Sequence, residues 1–289
     1  MNEITVIIPT LNAENNIKKL LTGVNAQTLQ PGRIIVIDSE SDDKTVDIAR
    51  TFSNVETRII KQSDFNHGRT RDMAIREVTT EYAVFLTQDV TINDNNTFAA
   101  LIESMKQNGD VVVSYARQKA YENANIIEKL IREFNYPNDS CIKDRSMISD
   151  FGIKTFFCSN VCAAYRVKKY KELGGFVYPV KTNEDMFFAA TAIKNGYKVS
   201  YAADAVVEHS HCFSLKQQFY RYYYLGYEMQ KHKELIGGEE LSEGVKLAGF
   251  VVKRLIKDLR FISLMRFGVE GTVRLLGNYA GKREYIRSQ

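Results

Sequence analysis

Carboxylates and imidazoles stand at the ends of several apolar runs in this chain, where a folded sheet would gather them. Asp89 follows Val84-Phe85-Leu86 through Thr87-Gln88, so it is expected at a strand end facing a crevice. Two of the four histidines, His209 and His211, follow the apolar run 205–207 in Glu208-His209-Ser210-His211. Alternating side chains put both on one face, where either can join Asp89 in holding a divalent cation. Such a cation neutralises a leaving diphosphate. Taken singly, these residues have plainer readings: a solvated Asp opening a turn, and a surface pair of histidines.

Glu184-Asp185 opens a predicted helix, where free amides and the macrodipole favour anions. Acids in a first turn are ordinary helix-start chemistry. The functional reading has Asp185 take the proton of an attacking hydroxyl, with Glu184 orienting or binding the molecule that carries it. Asp38 ends the run 34–37 and is suited to accept a hydrogen bond from a pyrimidine imide or a ribose hydroxyl. Asp42 and Asp43 need no more than a helix N-cap role. In Asn66-His67-Gly68-Arg69-Thr70-Arg71, amides and guanidinium groups at a helix start can face a diphosphate. As plain surface cations, Arg69 and Arg71 would sit unfavourably beside the macrodipole.

Positioning these residues requires an alternation of strands and helices. Short β-branched runs at 4–8, 34–37, 57–60, 82–86 and 111–115 predict strands, and helical spacing predicts helices over 15–26, 43–52, 70–78 and 98–107. That order calls for an α/β fold with a mostly parallel sheet covered on both faces. Ligands then sit beyond the carboxyl ends of the strands, at the polar clusters 9–12, 38–42 and 87–89. Residues 121–155 read as loop-rich around a short helix at 126–134, a region that could close over a substrate. A helix at 184–194 and a strand at 198–201 follow, and after 211 the pattern is all-helical.

A chain of 289 residues, 44% hydrophobic and 26% charged, supports one principal core. The four cysteines have neither disulfide nor zinc spacing, so Cys158 and Cys162 read as small buried apolar residues. With no leader before residue 4 and no apolar run of about 20 residues, a cytoplasmic protein that does not cross the membrane is expected. The net charge is only +4, yet residues 245–289 carry ten Lys and Arg against three acids. Apolar residues at helical spacing over 245–259 and 261–276, with cations on the other face, suit either an anionic membrane surface or homodimer formation. Aromatics among cations at 219–227 suit a membrane interface, a single-stranded nucleic acid or plain helix packing. No nucleic-acid-binding fold signature accompanies them, so no nucleic acid partner is expected.

Ile8-Pro9-Thr10-Leu11-Asn12, the stretch Asp38-Ser39-Glu40-Ser41-Asp42-Asp43-Lys44-Thr45, and Glu184-Asp185 resemble family-2 glycosyltransferases in order and spacing over roughly the first 210 residues. Phe65-Asn66-His67-Gly68-Arg69-Thr70-Arg71-Asp72, Leu86-Thr87-Gln88-Asp89, Ser159-Asn160 and His209-Ser210-His211 are similar to the rhamnosyltransferase branch of that family. The resemblance implies a GT-A nucleotide-diphospho-sugar transferase fold, a Rossmann-like mostly parallel sheet, over 1–212, followed by a helical, basic extension over 213–289. It implies inverting transfer from dTDP-L-rhamnose, with Mg²⁺ or Mn²⁺, to a lipid-linked intermediate of a bacterial cell-surface polysaccharide, at the inner face of the cell membrane. Carried over by position, Asp185 is the catalytic base, and Pro9, Thr10, Asn12, Asp38, Ser39, His67, Arg71 and Gln88 bind the donor. Asp38 meets the base and Arg71 the nucleotide or its phosphates. Asp89 and His211, preferred over His209, hold the metal, while Glu184, Ser159 and Asn160 bind the acceptor. The sequence departs from the family at Gln88, where an acid is usual, at Arg69 in place of Gly, and at Asp72 in place of Asn. Two rivals share these residues: a UDP-hexose or UDP-N-acetylhexosamine donor, and a noncatalytic module that binds nucleotide sugars or polysaccharide.

Overall fold

The computed structural model describes residues 3–237 and 240–289; residues 1, 2, 238 and 239, which belong to the two expected units, lie outside the described residues. Eight strands make one sheet: β1 (Ile4–Thr10), β2 (Arg33–Asp38), β3 (Val55–Ile59), β4 (Tyr82–Leu86), β5 (Val111–Lys119), β6 (Cys141–Lys143), β7 (Cys162–Arg166) and β8 (Lys198–Glu208). Their spatial order is β3-β2-β1-β4-β7-β5-β8-β6. The pairs β1–β2, β2–β3, β1–β4 and β5–β8 are parallel, whereas β7 runs antiparallel between β4 and β5, and β6 antiparallel on β8. The helices are α1 (Glu14–Asn25), α2 (Thr45–Arg50), α3 (His67–Arg76), α4 (Thr97–Lys106), α5 (Ile126–Asn135), α6 (Ile148–Phe151), α7 (Val167–Glu172), α8 (Glu184–Lys194), α9 (Leu215–Lys231), α10 (Lys233–Ile236), α11 (Glu240–Lys257) and α12 (Phe261–Arg287).

Strands buried on both faces need near-continuous apolar runs, and β1, β2 and β4 supply them over 6–9, 34–37 and 82–86. Ile4, Val6 and Ile8 of β1 pack with Ile17, Leu20 and Leu21 of α1 and Phe98 of α4. Ile7, with Ile35 of β2 and Phe85 of β4, packs on the opposite side with Ile75 of α3 and Phe187 and Phe188 of α8. Each such side chain contributes about 1.5–3 kcal/mol through burial. Cys158 and Cys162 are buried, and burial pushes the Cys158 thiol up to about 12, in keeping with an inert apolar role.

Residues 121–155 are more ordered than their composition suggests. They contain α5, the edge strand β6 and α6, and α5 packs Ile127 and Leu130 against Val251 and Leu255 of α11 and Phe267 of α12. The C-terminal helices thus lean on the sheet unit through α5. Helices α9 and α12 run in close contact at Gly226, Gly277 and Gly281; a Cβ on Gly281 would lie 1.9 Å from the Tyr223 carbonyl oxygen. Among the described residues no helix is long and apolar enough to cross a membrane.

Candidate active site

The carboxyl ends of the parallel strands collect the polar residues singled out above. Asn12, Glu40 and Asn183 all have positive φ, and each sits on a loop at this edge: after β1, after β2 and before α8. Backbone held in that region by non-glycine residues concentrates at functional sites.

Thr10, Asn12, Asp38 and Ser39 form one hydrogen-bonded corner. The Asp38 carboxylate is fully buried and accepts from Thr10 Oγ1 at 2.9 Å, Ser41 Oγ at 2.6 Å and the Ser41 amide at 2.8 Å. Asn12 is tied to the same turn, its amide donating to Ser41 Oγ and its Oδ1 accepting from the Asp42 amide. The Ser39 amide donates to the Thr10 carbonyl. Pro9 lies on β1 beside Ile37. Gln88 spans to β1's end, its Oε1 accepting from the Leu11 amide at 2.7 Å and its Nε2 donating to the Leu11 carbonyl at 2.9 Å. A carboxylate could not make the second bond, which gives the departure from an acid at this position a physical reason.

Beyond Gln88, Thr91 pairs with Glu208 in an antiparallel bridge, its amide and carbonyl both bonded at 2.8–2.9 Å. That bridge brings the segment after β4 alongside the end of β8 and sets Asp89 against both histidines. Asp89 Oδ2 lies 3.3 Å from His209 Nε2 and 3.5 Å from His211 Nδ1, and the three ligand atoms fall within 4.8 Å of one another. Burial opposes the Asp89 charge, but the two imidazoles hold its carboxyl well below the usual range. Burial, and then His209, push the His211 imidazole down to about 3, leaving it neutral at pH 7.

Whether these residues fit a cation is answered by what lies behind His209. Its Nδ1 is 3.1 Å from Gln118 Oε1, an oxygen that also accepts from Arg132 Nη1 at 2.6 Å, while Gln118 Nε2 donates to Ser159 Oγ at 2.8 Å. These partners fix which way the Gln118 amide points, so His209 must offer Nδ1–H to Oε1. The Nε2 lone pair then faces a carboxylate, an arrangement satisfied by a proton or a metal cation between them. The residues fit a metal.

The acid pair sits next to this triad. Asn160 donates from its amide to Asp185 Oδ2 at 2.8 Å and from Nδ2 to Glu184 Oε1 at 3.0 Å, and its Oδ1 accepts from Tyr165. Ser159-Asn160 therefore links the histidine side of the crevice to the acid side. Glu184 Oε1 is 3.1 Å from Arg71 Nη1 in an ion pair that is nearly closed to water. Burial works against the Glu184 charge, yet Arg71 keeps its carboxyl below the ordinary value. Asp185 behaves oppositely: burial, then the Glu184 charge, push its carboxyl up to about 7, against amide donors from Asn160 and Met186. A carboxyl tuned to neutrality is equipped to take a proton. Arg71 also meets His67 Nδ1 at 3.3 Å, while its Nε is buried without a protein partner, leaving a donor for an anion.

Gln118 and Arg132 were not legible as site residues. The predicted strand ends at residue 115, but β5 continues through the polar run Arg117-Gln118-Lys119, past a register shift between Ala116 and Arg117, paired with β8. Continuing the strand's alternation beyond Tyr115 would have put Gln118 on the buried face with Ala116.

A family model described as Glycosyl transferase family 2 matches residues 5–174. The O-antigen chain rhamnosyltransferase RfbN of Salmonella typhimurium is 40% identical over 225 residues, covering 78% of this chain and 71% of that protein. The O-antigen chain rhamnosyltransferase WbaN of Salmonella anatum is 39% identical over 228 residues, covering 78% and 72%. Among solved structures, the mannosyltransferase PcManGT from Pyrobaculum calidifontis, in complex with GDP-Man and Mn2+, superposes with a TM-score of 0.65 at 16% identity, over 99% of this chain and 88% of that one. Staphylococcus aureus TarS in complex with UDP-GlcNAc gives 0.61 at 18% identity, over 88% and 72%. The expected GT-A fold is met.

Proposed function

The chain belongs to glycosyl transferase family 2, and from that premise we propose that it transfers L-rhamnose from dTDP-L-rhamnose, with inversion, to a hydroxyl of a lipid-linked saccharide in bacterial cell-surface polysaccharide assembly. The names of the two relatives near 40% identity supply the sugar and the pathway class. One observation carries the reaction: a carboxyl tuned to about 7 at Asp185, joined through Ser159-Asn160 to an Asp-His-His cluster.

In this reading the sheet unit, 1–212, carries the chemistry and 213–289 serves the membrane side, at the inner face. Asp38, through the Thr10–Asn12–Ser39 corner, shapes the seat of the base and ribose. Pro9 and Gln88 fix the end of β1 that forms its wall. His67 and Arg71 face the diphosphate, with Arg71 Nε as the spare donor. Ser159, Asn160 and Glu184 orient the acceptor. Asp185 accepts the proton as the acceptor oxygen bonds to the anomeric carbon, and the bond from that carbon to the diphosphate breaks with its electron pair on the departing oxygen. Asp89, His209 and His211 would hold the cation, whose Lewis acidity stabilises that departing charge. One carboxylate with two imidazoles suits Mn²⁺ better than Mg²⁺, which prefers an all-oxygen shell. Because the histidines complete this set, the neutral Gln88 does not favour a noncatalytic module.

The test is a donor screen with purified protein, Mn²⁺ or Mg²⁺, and dTDP- and UDP-sugars in the presence of a rhamnose-accepting saccharide lipid, reading release of nucleoside diphosphate. Selective, chelator-sensitive turnover of dTDP-L-rhamnose is expected. Turnover of a UDP-hexose or UDP-N-acetylhexosamine instead would replace the donor and keep the mechanism.

A further inference from the structure

We propose that the corner between α11 and α12, with the outer face of α12, docks on an anionic lipid surface. Soluble helices turn apolar residues inward, but α12 does the reverse. Its inner face against α9 carries Glu270, Arg274, Gly277 and Gly281, with Glu270 bonded to both Arg266 and Arg274 and Arg274 to Gln218 of α9. Its outer face presents Ile262, Met265, Val269, Leu276 and Tyr279, exposed by 81, 68, 53, 56 and 64%. Their spacing of three, four and seven residues keeps them on one stripe, interrupted only by Thr272. At the corner, Leu259 is 73% exposed and holds a φ of +54°, a conformation that glycine or asparagine adopts more cheaply. Ile256 and Phe261 flank it, exposed by 50 and 58%. A contiguous patch of this kind is covered by something in the working protein.

Charge decides between the two coverings that such a stripe suits. Between residues 253 and 266 five cations stand against the single acid Asp258. Lys253, Lys257 and Arg260 are exposed and make no ion pair among the described residues. Along α12 the positions flanking the stripe are Arg266, Gly268, Val273, Leu275, Ala280, Lys282, Glu284 and Arg287, so three cations stand against one carboxylate, and Arg283 falls within the stripe itself. A second copy packed corner to corner would set Lys253, Lys257 and Arg260 against their equivalents, where pairing helices place opposite charges. An anionic leaflet accepts the apolar stripe and its basic rim together. The placement also serves the proposed lipid-linked acceptor: α5 packs on this helical corner and carries Arg132, which bonds Gln118 behind His209. The surface argument does not depend on the sugar, so its test uses vesicles that contain no saccharide lipid.

The experiment is flotation of the full chain with vesicles of phosphatidylcholine alone and with a quarter of the lipid replaced by phosphatidylglycerol, at low and high salt. The wild type should float only with the anionic vesicles, and less as salt rises. Ile262→Glu should lower binding at least about tenfold. Joint replacement of Lys253, Lys257 and Arg260 by Gln should lower it about a hundredfold. Both variants sit on exposed side chains, and an unchanged Tm confirms that they fold. Absence of wild-type flotation, or flotation unaffected by either variant, overturns the proposal. So does a wild-type dimer in light scattering that Ile262→Glu converts to monomer, since a second copy would then own the stripe.

Discussion

At the scale of single residues, the site turns on two neighbouring carboxyls sent in opposite directions. Glu184 is held ionised by Arg71, and its charge, added to burial, raises Asp185 to about 7. The sign follows directly: a base is active when deprotonated, so transfer should be full above that value and fall away as pH drops through it. Glu184→Gln removes the neighbouring charge and frees Arg71, and both changes favour the Asp185 carboxylate. The acidic limb of the kcat profile should therefore move to lower pH, even as acceptor KM rises. An unmoved or alkaline-shifted limb in a pH–rate measurement would separate the titrating group from Asp185. Asp185→Asn is the companion variant, expected to lower kcat by roughly 10²–10⁴-fold while donor affinity, measured by calorimetry with dTDP, stays near wild type.

At the scale of elements, the sequence declares strands that are uniformly apolar and conceals those that are not. β1, β2 and β4 are legible because burial on both faces demands continuous β-branched and aromatic runs. β7, Cys-Ala-Ala-Tyr-Arg, lies in the middle of the sheet yet consists largely of small residues with weak strand preference, so nothing local announces it. Its antiparallel course puts Ser159-Asn160 at the site edge from the strand's beginning rather than its end. The same concealment covers Gln118, whose strand outlasts its apolar part. Run ends place Asp89 with either histidine, but the approach of both imidazoles to it depends on the Thr91–Glu208 bridge, and the orientation of His209 on the Gln118 contact, which no local pattern encodes. Gln118→Met keeps the length of the side chain and removes its three bonds, to His209, Arg132 and Ser159. His209 then loses the partner that fixes its tautomer, and Mn²⁺ affinity should drop about 10–100-fold in a calorimetric titration without donor. Retained affinity would show that the orientation of His209 is set by other contacts.

At the scale of the whole molecule, the C-terminal helices reach the side of the crevice proposed to take the acceptor as well as the corner proposed to meet lipid. Helix α9 holds the segment before Asp185 from outside: Glu228 Oε1 accepts from the Lys181 amide at 2.9 Å, and Asn183 Nδ2 meets Met229 Sδ at 3.5 Å. What keeps α9 in place is its contact with α12, where glycines let the two backbones touch. Gly281→Ala would place a methyl group 1.9 Å from the Tyr223 carbonyl oxygen, so the helices must part. Overpacking of this kind costs about 1–3 kcal/mol, read as a lowered urea midpoint. Gly271→Ala is the internal control on the same helix: its Cβ meets nothing within 4 Å, and the gain in helix propensity should stabilise by up to about 1 kcal/mol. If α9 positions the 181–183 segment, Gly281→Ala should raise the acceptor KM while the donor KM, which the proposed reading assigns to the far strand ends around Asp38, stays unchanged. Equal effects on both substrates would mean that the loss is one of global stability, and that the helical extension plays no part in presenting the acceptor to Asp185.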